Sequence, residues 1–296
     1  MITRMHGGTK SAALCSLLVV FLISVTPAGH AQSLNWEGQT GAFVTPFAYT
    51  SASPTTGFGR PAVSFHYLDG GDTLGGFYEV SGTIGFLKRF EVGYTRALNS
   101  DGSVPSLSPL FNGGFNIFHG KANLVGENAG KHKYIPAISL GFVARTNVRR
   151  VGGVLDSNDK HNEDFYVVAT KTITYVKVLP IIANFGLKAT NASVLGIAGN
   201  APNWQGRLFG AVGFVLPGPV KSKIVVGSEF LQEPRHIQGL PGAQLPTTLT
   251  YFARVIPGSE RPLNVDFGVA QVANNIMPGV KLHARSRFAM GVSYRF

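Results

Sequence analysis

Hydrophobic and polar residues alternate along most of the chain beyond residue 60, and runs of such alternation predict strands with one apolar and one polar face. Twelve runs are legible: 60–68, 75–85, 88–97, 115–124, 134–145, 163–174, 180–189, 206–216, 222–230, 247–255, 263–270 and 286–296. In Leu263–Val269 every odd position is apolar. Phe90, Val92 and Tyr94 share one face, and the odd positions of Ile181–Lys188 look the same way. The run 163–174 alternates less cleanly. The connections form a second pattern. Those near 87, 128, 177, 219 and 259 are short and hold turn formers such as Pro217-Gly218-Pro219 and Pro257-Gly258. Those at 98–114, 146–162, 190–205, 231–246 and 271–285 are long, and the 69–74 connection is short where the rhythm asks for a long one. Short turns at one end, long loops at the other and an even strand number predict a transmembrane antiparallel β-barrel of about 12 strands. A soluble all-β sandwich would alternate too, but strands of about ten residues match a tilted bilayer crossing.

The last run ends on an aromatic. Phe288, Met290, Val292, Tyr294 and Phe296 fall on one face, and Arg287, Ala289, Gly291, Ser293 and Arg295 on the other. This strand resembles the C-terminal assembly signal of bacterial outer-membrane barrels, which implies handling by the barrel assembly machinery through Phe296. The N-terminus agrees. Residues 1–31 read as a signal peptide: Arg4 and Lys10 precede the apolar Ser11–Val25, and Gly29-His30-Ala31 offers small residues before a cut at Gln32. The expected location is the bacterial outer membrane, reached through a cleaved signal. Residues 32–59 are turn-rich, lie outside the alternation and are expected either in the periplasm or folded into the lumen as a partial plug; residues 60–296 are the barrel.

Composition narrows the chemistry. Cys15, inside the signal, is the only cysteine, so the mature chain has no disulfide, thiol nucleophile or zinc–thiolate site. The signal carries two of the 26 basic residues and none of the 15 acids, which leaves 24 − 15 = +9 on the mature chain. Export argues against nucleic acid as the partner of that charge. It leaves outer-membrane lipid, lipopolysaccharide and small anionic solutes.

Placing apolar positions outward sends thirteen strand charges inward. Nine are basic (Arg89, Lys121, Arg145, Lys188, Arg207, Lys223, Arg254, Arg287 and Arg295) and four acidic (Glu79, Glu91, Glu229 and Asp266). An Arg or Lys facing mid-bilayer lipid costs about 2–4 kcal/mol, so central positions have no alternative. A lumen rich in Arg and Lys predicts passive conduction or binding of small anionic or polar solutes. Arg–Glu networks that fill the interior remain the competing outcome, because twelve strands lie between packed eight-stranded and open sixteen-stranded barrels.

No enzyme signature, metal motif or cofactor motif is legible, so no catalytic, cofactor or metal residue is assigned. Asp156–Asp164 gathers four acids and His161 but lacks the glycine of a calcium loop, and reads as solvated loop. A rim enzyme would need a serine or acid beside His66, His119, His161, His236 or His283.

Asn35-Trp36-Glu37-Gly38-Gln39-Thr40-Gly41, continuing to Thr50, resembles the opening of an uncharacterised family of proteobacterial outer-membrane proteins, as do Gly120–Val125 and Tyr134–Ala137. The Thr40-Gly41-x-x-x-Thr45-Pro46-x-Ala48-Tyr49 portion is also similar to exopolysaccharide-associated outer-membrane barrels. The resemblance implies the barrel and a non-conducting, export-associated role as the alternative to a channel; it carries no catalytic residues.

Overall fold

A computed structural model describes residues 33–100, 102–103, 113–148, 161–175, 179–238, 242–258, 262–271, 273–277, 280–284 and 286–296; side chains of 131 and 272–285 are not described. The signal region and Asp156–Lys160 lie outside these residues.

Fourteen strands follow in chain order: β1 (Ala62–Asp69), β2 (Gly76–Phe86), β3 (Phe90–Asn99), β4 (Phe115–Val125), β5 (Ala137–Thr146), β6 (His161–Ile173), β7 (Ile181–Ala192), β8 (Asn200–Pro217), β9 (Lys223–Leu231), β10 (Thr248–Ile256), β11 (Leu263–Gln271), β12 (Ala273–Met277), β13 (Val280–Ala284) and β14 (Arg287–Arg295). Twelve of them form a closed antiparallel barrel. Neighbours in sequence pair throughout, and β14 closes the ring on β1 with Ala62 opposite Arg295 and His66 opposite Gly291. The β12–β13 hairpin is inserted between β11 and β14, inside the predicted 271–285 loop.

The pleat explains the alternation. On β3, Phe90, Val92 and Tyr94 are exposed while Glu91 and Thr95 are buried; on β7, Phe185 and Leu187 are exposed while Asn184 and Lys188 are buried. The outer wall is therefore apolar and aromatic and the inner wall polar. Two short connections are primed turns. Leu87 and Lys88 both take positive φ (51° and 64°), as do Val220 and Lys221 (52° and 59°). Such turns match the right-handed twist of the strands they join.

Two boundaries differ from the sequence reading. The predicted 190–205 loop shrinks to 193–199, because β7 and β8 continue past the irregularity between Thr190 and Ala192. The predicted loop ending at Asp164 also gives way: His161–Asp164 is already strand β6, its even positions facing inward. The 69–74 connection contains a helical turn, Gly71–Leu74.

Candidate functional site

The interior is the candidate site, and its own N-terminal segment occupies it. Residues 33–46 are buried throughout, although they form no strand of the barrel. Both ends of the segment lie near the short-turn end of the barrel. Ser33 donates to Asp266 Oδ2 (3.0 Å), four residues into β11, and Ser51 N–H donates to Glu91 Oε2 (2.6 Å), at the start of β3. Between these points the chain climbs, turns and descends.

Two glycines make that path compact. Gly38 turns the chain at φ +84°, and a Cβ there would lie 2.5 Å from Thr95 Oγ1. Gly41 passes so close to Thr45 that a Cβ would lie 2.4 Å from its carbonyl oxygen. A larger side chain at Gly38 requires the segment to move off the wall, and one at Gly41 requires the segment's own turns to move apart.

Inward-facing strand side chains receive the segment's backbone. The Glu229 carboxylate on β9 accepts N–H groups from Phe43 (2.9 Å), Val44 (3.0 Å) and Thr45 (2.7 Å), and the Thr45 hydroxyl (2.7 Å). Glu91 on β3 accepts the Thr40 N–H (3.0 Å) and hydroxyl. Lys121 on β4 bridges Glu91 (3.1 Å) and the Thr40 carbonyl (2.9 Å). Arg254 on β10 pairs with Asp266 (2.6 Å) and donates to the Gly41 and Ala42 carbonyls (2.9 Å each). Ala48 is held by Thr170 on β6 and by Ser139 and Asn123 on neighbouring strands. Arg295 on β14 donates to Ser51 Oγ (3.2 Å) and the Ala52 carbonyl (3.0 Å). A buried backbone group must be paired, and here the barrel wall supplies the partners a helix or sheet would otherwise give.

Further up the lumen Arg145 binds the segment's Glu37 (Nε to Oε1, 2.7 Å) and Asp164 of β6 (2.9 Å). Asp164 is also 3.6 Å from Lys188, which lies 3.5 Å from Glu233. Burial pushes the Glu233 carboxyl up to about 7, against the opposing pull of Lys188. Apolar side chains share the loop-end halves of the inner wall with this network. Leu68, Phe77, Ala97, Phe115, Ile117, Val143, Leu231 and Ala270 belong to one buried cluster with Phe43, Trp36, Val148 and Leu195. On β5 Val143 lies below Arg145, so the apolar and charged side chains interleave.

The thirteen predicted lumen charges divide in two. Glu79, Glu91, Lys121, Arg145, Lys188, Glu229, Arg254, Asp266 and Arg295 are buried inside. Arg89 and Lys223 correct the prediction. They hold the inward phase but sit at the short-turn rim, where both are exposed and Arg89 donates to the Leu124 carbonyl. Arg207 and Arg287 are half-buried near the loop end, Arg287 lying 3.7 Å from Asp69. Three buried acids had no place in the prediction: Glu37, Asp164 and Glu233. Among the described residues the buried charges are seven acidic (Glu37, Glu79, Glu91, Asp164, Glu229, Glu233 and Asp266) against five basic (Lys121, Arg145, Lys188, Arg254 and Arg295). The expected cationic excess inside the barrel is absent from them.

The histidines do not assemble a rim site among the described residues. His66 and His119 are buried on the inner wall, His66 between the Trp36 ring (centroids 6.1 Å apart) and the Phe43 ring (5.9 Å). His119 Nε2 meets Thr83 Oγ1 at 3.4 Å, and His236 Nδ1 meets the Ala243 carbonyl at 3.0 Å. His161 is exposed, and the side chain of His283 is outside the described residues. No group of three His, Cys, Asp or Glu side chains among the described residues is arranged to hold a metal.

Glu37 leaves no local signal in the sequence, because its partner is 108 residues away. Asp164 does leave one: it shares parity with Tyr166, Val168 and Thr170 on β6.

Solved structures with a similar course include a KdgM porin (TM-score 0.46, 9% identity, 79% of this chain and 99% of that chain). They also include LpxR from Salmonella typhimurium (0.46, 9%, 79% and 100%) and a NanC porin (0.42, 8%, 80% and 98%). At these scores the likeness carries no inference about cargo or role. Comparison with curated proteins gives no match. The family described as "Protein of unknown function (DUF3034)" matches residues 32–253, three-quarters of the chain, and the chain belongs to that family.

Proposed function

We propose that the protein is a bacterial outer-membrane barrel, exported through a cleaved signal peptide, whose lumen is shut by its own residues 33–51. Hydrocarbon is the environment that suits an outer wall bearing Phe90, Val92, Phe118, Phe142, Phe165, Phe185 and Leu187. In that setting the short turns face the periplasm and the long loops the exterior. One observation carries the closed state: three consecutive backbone N–H groups of the segment end on the buried Glu229 carboxylate. The resemblance motif Thr40–Tyr49 supports the same reading, since Thr40, Gly41, Thr45 and Ala48 each meet the wall or each other at close range.

Passive conduction of small anionic or polar solutes then requires the segment to leave. Both its ends are at the turn end, so withdrawal needs no threading past the loops. The test is planar-bilayer recording of the refolded mature chain beside a variant lacking residues 33–51. The full chain is expected to be silent and the deletion to open a channel. Steady current through the full chain would overturn the proposal.

A further inference from the structure

A cavity of ≈ 370 Å³ lies at the loop end, outside the occluded layer. Arg207 enters it from β8; Gln232, Glu233 and Arg235 come from the chain leaving β9; Gln244 and Thr247 come from the chain returning to β10. Its walls are tied together. Gln232 N–H donates to the Leu208 carbonyl (2.9 Å), Leu208 N–H to Gln232 Oε1 (3.1 Å), and Leu245 N–H to the Arg235 carbonyl (2.8 Å). The apolar side chains of the same stretches, Ile237, Ala243 and Leu245, are buried, and Leu245 is part of the lining. The cavity is preformed and has the size of a small-molecule site.

Its charge is one-sided. The Arg207 guanidinium is oriented by neutral acceptors only: the Glu233 carbonyl (3.0 Å), the Gly206 carbonyl (3.3 Å) and the Gln205 side chain. Arg235 is exposed. Among the described residues neither has a carboxylate partner, and the one acid of the lining, Glu233, is buried with Lys188 beside it (3.5 Å). Two guanidinium groups lining one cavity with amide and hydroxyl neighbours offer positive charge for a planar or tetrahedral anion plus donors and acceptors for hydroxyl groups.

We propose that this cavity binds a single sugar ring bearing one anionic group, from a soluble acidic saccharide or from the phosphorylated sugars of lipopolysaccharide. The inference goes beyond the closed-barrel reading and uses it only for the direction the cavity faces. Calorimetric titration of the full mature chain, folded in detergent, tests it with D-glucuronate, D-glucose 1-phosphate and neutral D-glucose. Saturable binding of either anion, at least tenfold tighter than glucose, supports the site. Preference for glucuronate names the soluble saccharide as source, and preference for the phosphate names lipopolysaccharide. Arg207→Gln with Arg235→Gln is expected to weaken binding at least tenfold. Arg235→Gln alone, at an exposed side chain, is expected to weaken it several-fold in a protein whose heat-modifiable mobility on gels is unchanged. Equal affinity for glucose, no binding of either anion, or binding untouched by Arg235→Gln would overturn the proposal. None of these outcomes bears on whether the barrel conducts.

Discussion

Truncating Glu229 to alanine is the sharpest probe of how the lumen is shut. The substitution leaves the backbone N–H groups of Phe43, Val44 and Thr45, and the Thr45 hydroxyl, without their acceptor. An orphaned buried donor costs about 1–3 kcal/mol, so three amides give about 3–9 kcal/mol. Water entering the space left by the side chain recovers part of this, which brings the expected loss to about 3–5 kcal/mol. At about 1.4 kcal/mol per tenfold, the detached segment becomes about a hundred to a few thousand times more populated. Hydrogen exchange read on peptides covering residues 40–48 reports that population, because these amides exchange only when the segment leaves the carboxylate. Protection there should fall about a hundredfold or more, while peptides from β6 and β7 keep theirs. Glu229→Gln, which retains one acceptor oxygen, should fall between wild type and Glu229→Ala. Unchanged protection of residues 43–45 in a correctly folded Glu229→Ala barrel would refute the idea that this carboxylate anchors the segment.

Three further outcomes follow from the same geometry. Arg145→Ala removes the partner of both Glu37 and Asp164 and should lower the unfolding free energy by about 3–5 kcal/mol in denaturant titrations, since each lost partner leaves a buried carboxylate behind. Leu187→Arg places a charge on the exposed outer wall at mid-strand and should cost about 2–4 kcal/mol in lipid vesicles; no loss there would argue against a bilayer environment. Glu233 gives a pH signature. Its carboxyl keeps its proton to about 7 in the fold but releases it near 4.5 when unfolded, so between these values the unfolded chain holds fewer protons and stability falls as pH rises. Glu233→Gln should flatten that part of the stability–pH curve relative to wild type, and an unaltered slope would reject the assignment.

The barrel is legible in the chain because each strand repeats one local rule. Outward-facing and lumen-facing positions alternate, so Phe90, Val92 and Tyr94 declare the outside and Glu91 and Thr95 the inside without reference to any other strand. Charged strand centres such as Lys188 and Asp266 obey the same rule, and they are buried inside as it demands. Parity loses its force at the rims. Arg89 just precedes β3 and Lys223 is the first residue of β9; both keep the inward phase, but at the rim solvent is within reach and no penalty holds the side chain in. The run that forms β6 alternates less cleanly for a related reason: the loop-end part of its inward row is Asn162 and Asp164, residues that resemble a solvated loop when their partners on other strands are unseen.

What fills the lumen depends on contacts that no window of sequence contains. Glu37 meets Arg145 across 108 residues, and Thr45 meets Glu229 across 184. Counting charges of inward phase treats the wall as if it faced water, where an excess of Arg and Lys would set the field. The segment changes that sum in two ways. It brings in its own carboxylate, Glu37, and it presents carbonyls and amides that Lys121, Arg254 and Glu229 answer directly. A cation bound to a carboxylate and two carbonyls offers little field to a passing anion, so the charges that read as a selectivity lining act as fasteners. Deleting residues 33–51 would therefore do more than open space. It would release Lys121, Arg254 and Arg295 from their backbone acceptors and Glu91 and Glu229 from their backbone donors, and with Glu37 gone it would leave six buried acids against five buried bases among the described residues. The selectivity of the deleted barrel for anions over cations is thus the measurement that separates the strand pattern, which expects anions, from the folded interior, whose buried charges give no cationic excess.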